Sequence, residues 1–300
     1  MITDIEFFGG KKFFGAIGME NIKKPLPPKK EKETAVPAYH VLSTKPYFAL
    51  KREEPLALKD HAYKTAVLSA LMWKRNNGPI YLVTDKAGEE YAKASGLNRY
   101  YDEVLCLIDE GLGINYGRYW AAGKIEALKK LPAPLVILDM DMVIWEHIDL
   151  SKSRLTCAHM EHLYKETYPD FSFFNMSKRY SFDENWDRSA EPLNTAFLYI
   201  ADEDLKEYYT KNSIRFMQFE RDSVDDGVKC MVFAEQRMLS MCAKALGVEA
   251  DVLLDIDELM NGQSVLTHIW SGKRILNENK DIREKYLRFC SEKIDLLEKA

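Results

Sequence analysis

The sequence predicts an α/β fold with a mostly parallel central sheet flanked by helices. Two observations predict it. Short aliphatic runs alternate with stretches of helical apolar spacing through the first half of the chain, the strand–helix–strand order of right-handed crossovers. In addition, Leu135-Val136-Ile137-Leu138 is an unbroken aliphatic run entered through Pro132 and Pro134, the pattern of a strand buried on both faces.

The elements follow in order. Residues 1–37 form an N-terminal extension whose Pro/Lys-rich part, 21–37, reads as extended chain. A first strand is expected at 39–42, closing on Ser43-Thr44-Lys45-Pro46. Residues 59–76 carry Ala62, Ala66, Leu68, Leu71 and Met72 at helical spacing, and Gly78-Pro79 then breaks the chain. Ile80-Tyr81-Leu82-Val83 reads as a strand ending in Thr84-Asp85. A helix at 89–95, a strand at 103–107 and a helix at 120–130 lead into the aliphatic strand. The second half is less regular. Residues 168–190 mix Tyr168, Phe171, Phe173, Phe174, Tyr180, Phe182 and Trp186 with turn formers and read as an irregular segment. Strands are expected at 194–200 and 265–270 and a helix at 234–246. The organisation read from this is an extension over 1–37, one catalytic-sized domain over 38–280 and a C-terminal helix over 281–300.

Bulk properties narrow the partners. With 300 residues, 46% hydrophobic and 30% charged, the chain has ample core for a globular protein. A net charge of -5 gives no basic face for nucleic acid. No apolar run approaches the roughly 18 residues of a membrane span, and Asp4, Glu6, Lys11 and Lys12 interrupt any signal-peptide core. The five scattered cysteines, an odd number without a Cys-x-x-Cys pair, suit thiols in a reducing cytoplasm. A cytoplasmic location is therefore expected, and the oligomeric state is left open.

The chemistry centres on Asp139-Met140-Asp141, which follows the aliphatic strand directly. Residues i and i+2 of an extended segment point the same way, so both carboxylates can aim at one point. Two like charges so close cost free energy unless a cation lies between them. Oxygen ligands favour a hard cation, Mn2+ or Mg2+. The carboxyl end of a strand in an open α/β sheet is also where ligands bind. Ser43, Thr44, Thr84 and Asp85, at the ends of the early strands, are placed to meet the same ligand.

Leu138-Asp139-Met140-Asp141 resembles the D-x-D motif of GT-A glycosyltransferases, and four more segments extend the resemblance. Trp120-Ala121-Ala122-Gly123-Lys124-Ile125-Glu126-Ala127 looks like the helix that brings a basic residue to the donor. Leu193-Asn194-Thr195-Ala196-Phe197 looks like the strand start that touches the sugar. Glu235-Gln236-Arg237-Met238-Leu239-Ser240 is similar to the "Asp-Gln-x-x-Leu-Asn" helix start of family 8 enzymes. Thr267-His268-Ile269-Trp270-Ser271-Gly272-Lys273 resembles their C-terminal segment. Five elements in order over roughly 38–275 look closest to a bacterial glycosyltransferase-like family. The resemblance implies a GT-A-like nucleotide-diphospho-sugar transferase fold. It also implies transfer of a sugar from a nucleoside-diphosphate donor, UDP-linked, to a saccharide or glycan acceptor, as in polysaccharide biosynthesis. It implies Asp139, Asp141 and His268 as metal ligands; because only neutral imidazole ligates, nucleotide-sugar affinity is expected to fall as pH drops through the histidine range. Lys124 and Lys273 would meet phosphate, Ser43, Thr44, Thr84 and Asp85 the nucleoside, and Asn194, Glu235 and Gln236 the sugar or acceptor. Ala196 stands where the family has glycine and Glu235 where it has aspartate, which leaves the stereochemistry open; an inverting enzyme needs a carboxylate base, Glu235 or Glu191.

Plainer accounts exist for each piece. Lys124 suits a solvated helix face, Glu235 a first helical turn, and His268 a packed half-buried ring. Asp139-Met140-Asp141-Met142-Val143 also suits a haloacid-dehalogenase phosphatase, with Asp139 as nucleophile. The later Gly-Asp-x-x-x-Asp of that class is missing, since Asp255-Ile256-Asp257 lacks both the glycine and the spacing. A non-catalytic nucleotide-sugar-binding protein is the remaining alternative.

Overall fold

A computed structural model describes residues 18–28, 35–50, 54–108, 111–221, 226–270 and 272–299; most of the N-terminal extension, together with Ser271, lies outside them. Four strands make the parallel half of the central sheet: β1 (Ala38–Leu42), β2 (Ile80–Thr84), β3 (Val104–Cys106) and β4 (Leu135–Leu138). They lie side by side in the order β3-β2-β1-β4. The helices Asp60–Asn76, Lys86–Ser95 and Ala122–Lys130 connect them. Beyond β4 the chain adds β5 (Met142–Ile144), β6 (Leu155–Cys157), β7 (Phe197–Ile200), β8 (Asp251–Val252) and β9 (Leu266–His268). The seven-stranded sheet runs β3-β2-β1-β4-β7-β6-β8, and β5 and β9 form a separate two-stranded sheet. β7 is antiparallel to β4, so the start of β7 faces the end of β4, with Leu138 opposite Phe197.

The unbroken apolar strands are explained by a core on each side. In β4, Leu135 and Ile137 pack into one hydrophobic cluster, while Val136 and Leu138 pack into the other. β7 divides in the same way, Leu198 and Ile200 against Phe197 and Tyr199. One core is covered by the helices Ala122–Lys130 and Glu203–Phe219, the other by Asp60–Asn76 and the C-terminal helix Lys280–Glu298. All four β4 side chains have no exposed surface, so a charge at any of them would lack a solvated alternative.

Three local expectations change. The extended reading of 194–196 fails, because β7 begins only at Phe197. The helix expected at 234–246 opens instead as a π-helical turn, Phe233–Arg237, before Met238–Ala245. The helix Glu203–Phe219 is absent from the pattern read above, although its signals were present. Asp202 caps it by accepting from the Leu205 amide at 2.8 Å, and Leu205, Tyr209, Ser213 and Phe216 recur at helical spacing on its buried face. Ser213 in that stripe and charged residues between its members dilute the apolar period. Residues 168–190 contain, among the described residues, no helix or strand beyond the single turn Phe171–Phe173.

Candidate active site

The two aspartates do not sit on one extended segment. β4 stops at Leu138. The Asp139 amide donates to the Ala196 carbonyl at 2.7 Å, and the Met142 amide donates to the Asp139 carbonyl at 2.9 Å. Asp139-Met140-Asp141 is therefore a tight turn carrying the chain from the large sheet into the small one. The convergence inferred from i, i+2 spacing is real, but a turn produces it. Past the turn, β5 pairs antiparallel with β9, Met142 opposite His268, and the Ile269 amide donates to the Asp141 carbonyl at 3.0 Å. That register delivers His268 to the aspartates. Asp139, Asp141 and His268 each offer a ligand atom, and these all lie within 4.8 Å of one another.

Two lysines offset part of the negative charge. Lys273 Nζ lies 2.6 Å from Asp141 Oδ2, and His268 Nε2 is 3.8 Å from Asp141 Oδ1. Lys124 Nζ lies 2.7 Å from Asp139 Oδ1 and 2.6 Å from Glu235 Oε1, and donates to the Thr195 carbonyl at 3.2 Å. Lys124 is thus a buried counter-ion shared by two acids, not a solvated helix cation. Burial works against its charge, but Asp139 and Glu235 outweigh that and raise its pKa. The aspartates are pushed apart. Burial raises Asp139 to about 6 against the pull of Lys124, with Asp141 adding repulsion. Burial would raise Asp141 as well, but Lys273 and then His268 bring it down to about 2. Burial lowers His268 to about 4 although Asp141 opposes the shift, so the imidazole is neutral and able to ligate across the physiological range.

One three-residue segment holds two carboxylates and the backbone of a third acidic residue. Asn194 Nδ2 donates to Glu161 Oε1 at 3.2 Å. Thr195 Oγ1 donates to Glu235 Oε1 at 2.7 Å. The Ala196 carbonyl takes the Asp139 amide. Glu235 itself lies in the π turn, not in an ordinary first turn. Two carbonyls of this turn are taken up by the helix Glu203–Phe219: Tyr209 OH donates to Glu235 O at 2.8 Å and Ser213 Oγ to Ala234 O at 2.7 Å. Such π turns recur at functional sites. Gln236 Oε1 accepts from Tyr168 OH at 2.6 Å. Glu161, His159 and Thr195 were not singled out from sequence, and no local pattern marks them. Glu191 is exposed, with its carboxylate 3.6 Å from His162 Nδ1.

At the ends of β1 and β2 lies a cleft of about 640 Å³, lined among others by Thr44, Lys45, Phe48, Asp85 and Tyr116. Asp85 caps the helix Lys86–Ser95 and accepts from the Thr44 amide at 2.7 Å, Thr44 Oγ1 at 2.8 Å and the Gly88 amide at 2.9 Å. Thr84 does not reach the cleft surface: it is fully buried and its hydroxyl donates to the Leu42 carbonyl at 2.6 Å. Ser43 Oγ is buried without a hydrogen-bond partner among the described residues, and Gly123 approaches it so closely that a Cβ there would lie 2.5 Å from Ser43 Cβ. That contact seats the first turn carrying Lys124 against the end of β1.

A family model described as a family of unknown function, DUF6734, matches residues 52–275. The chain belongs to the DUF6734 family. No curated protein matches it. Among solved structures, the DUF6734 chain is similar to mouse xyloside xylosyltransferase 1, with 13% identity, 73% of this chain and 85% of that one covered, and a TM-score of 0.38. It is similar to the galactosyltransferase LgtC, solved with donor and acceptor sugar analogues, with 10% identity, 72% and 73% covered, and a TM-score of 0.35. It is also similar to the CTP:phosphocholine cytidylyltransferase LicC of Streptococcus pneumoniae, with 10% identity, 81% and 98% covered, and a TM-score of 0.37. Among the described residues, no helix is long and apolar enough to cross a membrane.

The donor set of this DUF6734 protein fits a divalent cation. Two carboxylates supply hard oxygens and His268 one nitrogen, a mixture that suits Mn2+ at least as well as Mg2+. The raised Asp139 carboxyl marks a place where negative charge is under-compensated.

Proposed function

We propose that this protein is a metal-dependent glycosyltransferase that moves a sugar from a nucleoside-diphosphate donor, UDP-linked, to a saccharide or glycan acceptor. The observation that carries the proposal is the meeting of Asp139, Asp141 and His268 within 4.8 Å at the carboxyl edge of the parallel strands. Two lysines and a cleft at the neighbouring strand ends support it. Ligands of open α/β sheets bind along that edge.

Asp139, Asp141 and His268 would hold Mn2+ or Mg2+, which would supply positive charge to the leaving diphosphate. The chain's own groups do the rest. Lys273, with its side chain half exposed at the rim, presents an ammonium to phosphate oxygens. Lys124 stays charged in a buried position, a fixed positive group that needs no reorganisation during reaction. The cleft bounded by Phe48 and Tyr116 takes the nucleoside, with Thr44 and Asp85 on its wall and Ser43 adjoining Thr44 at the end of β1. Asn194 and Gln236 present amides to sugar hydroxyls, and Glu235 orients the sugar or acts as base. Residues 38–280 form the catalytic domain in this proposal, with 1–37 and 281–300 as its flanks. The C-terminal segment enters the phosphatase alternative nowhere, yet His268 and Lys273 both converge on Asp141.

A thermal-shift screen of nucleotide-sugars with and without Mn2+ tests the proposal. A ligand at a hundredfold excess over its dissociation constant stabilises the folded state by about 2.7 kcal/mol. One UDP-sugar is expected to raise the melting temperature only with metal present, and Asp141→Ala is expected to abolish that shift while leaving a folded protein. Metal-independent shifts, or an undiminished shift in Asp141→Ala, would overturn the assignment.

A further inference from the structure

A second polar cluster adjoins the metal centre and has no part in holding the cation. His159 is buried, and its Nε2 lies 2.9 Å from Glu161 Oε1. Asn194 Nδ2 reaches the same oxygen at 3.2 Å, so among the described residues both side-chain contacts of this carboxylate fall on Oε1. Burial would favour the neutral acid, but the His159 ring hydrogen-bonded to it outweighs that, with Asn194 assisting, and Glu161 is held below the usual carboxylate range. Next to His159 stands Trp270, ring centroids 6.2 Å apart, and its other neighbour is His268 at 5.8 Å with the rings nearly parallel. Trp270 is a large aromatic left 38% exposed beside a site of buried polar groups. Because Asn194 and Ala196 are two residues apart, at most about 7 Å of chain separates the group that holds Glu161 from the one that holds Asp139.

We infer that Glu161 and Trp270 form the acceptor subsite of this enzyme and select an uncharged pyranose. The inference rests on the glycosyltransferase proposal and adds the class of acceptor. The chemistry is specific to such a ligand. The aliphatic C–H face of a pyranose packs on an exposed indole, which buries apolar area without demanding polar partners. Its hydroxyls donate to an ionised carboxylate, the stronger class of hydrogen bond. Glu161 is oriented before any ligand arrives, so little ordering is required on binding. The same fixed negative charge repels an acidic sugar, which would bring a second carboxylate against it. His159 and Asn194 act through Glu161 as positioning residues.

Saturation-transfer NMR with Mn2+ and UDP present tests the subsite, using a panel of neutral methyl hexopyranosides and the matching methyl hexuronides. Wild-type protein is expected to bind at least one neutral pyranoside and to bind its uronide at least tenfold more weakly. Trp270→Ala should weaken the neutral ligand at least tenfold, whereas Trp270→Phe should keep most of the affinity. Glu161→Gln should weaken the neutral ligand and at the same time narrow the gap to the uronide, an effect a purely structural role would not give. The Mn2+-dependent nucleotide shift, measured on the same samples, should persist in Glu161→Gln and Trp270→Phe. If that shift is missing from the wild type, the transferase proposal fails, whatever the sugars do. If the shift is present but no neutral pyranoside binds, the uronide binds equally well, or the variants bind like wild type, the subsite is wrong.

Discussion

Replacing Lys124 with Met tests whether the site is built around a shared buried cation. In the folded protein the ammonium touches Asp139 at 2.7 Å and Glu235 at 2.6 Å. Removing one member of a buried ion pair typically costs about 3–5 kcal/mol, because the remaining charge is left unpaired. Here two acids are left. Their exposures differ: the Asp139 side chain is 31% exposed and the Glu235 side chain 8%. Water will screen Asp139, so most of the loss falls on Glu235, which among the described residues keeps the Thr195 hydroxyl. The lower end of the range, about 3 kcal/mol, is the expected loss at pH 7.5. The effect must also depend on pH with a definite sign. The Asp139 carboxyl is held at about 6, above the ordinary 3.8, so it binds its proton more tightly folded than unfolded. The stability it contributes is complete below the ordinary value and is lost as pH rises through about 6. Without Lys124 the shift grows, so the gap between mutant and wild type should narrow between pH 7.5 and pH 5. Urea unfolding at the two pH values reads both quantities, and Mn2+ should recover part of the loss by supplying the missing charge. A loss below about 1 kcal/mol at pH 7.5, or a gap that does not narrow at pH 5, would refute the shared-cation account.

Three further outcomes are expected. Mn2+ affinity, followed by calorimetry, should fall as pH drops through about 6, where Asp139 takes up a proton; that fall does not come from His268, which is neutral down to about 4, so His268→Ala should weaken binding yet keep the fall near pH 6. Gly123→Ala should destabilise the protein by about 1–3 kcal/mol and weaken metal-dependent nucleotide binding, because the added Cβ would lie 2.5 Å from Ser43 Cβ and displace the helix start that carries Lys124; a neutral result on both readouts would contradict the described packing. Incubation with an aryl phosphate and Mg2+ followed by intact-mass measurement should show no aspartyl phosphate on Asp139, whereas a phosphorylated species lost in Asp139→Ala would favour the phosphatase alternative.

Several features were legible in the residues alone. The aliphatic run 135–138 declared a strand buried on both faces, and it became β4 with alternate side chains in two different cores. The strand–helix alternation foretold the parallel half of the sheet, because crossover connections and doubly buried strands leave local patterns of spacing and composition. The segments around Lys124, Asn194, Glu235 and His268 could be picked out and ordered. Other features depended on tertiary structure. Whether Lys124 faced water or Asp139 was a matter of how one helix seats on β1 through Gly123 and Ser43. Glu161 and His159 carry no motif, and they matter only because Asn194 folds onto them. The helix Glu203–Phe219 was hidden because its buried face mixes Leu205 and Tyr209 with Ser213, whose hydroxyl serves the π turn. Above all, the turn at Asp139–Asp141 joins two sheets, and the register that sets Met142 opposite His268 brings that distant residue to the two aspartates as one candidate ligand set. Such a register is selected by cross-strand packing between segments far apart in the chain, a contact that no local window of sequence contains.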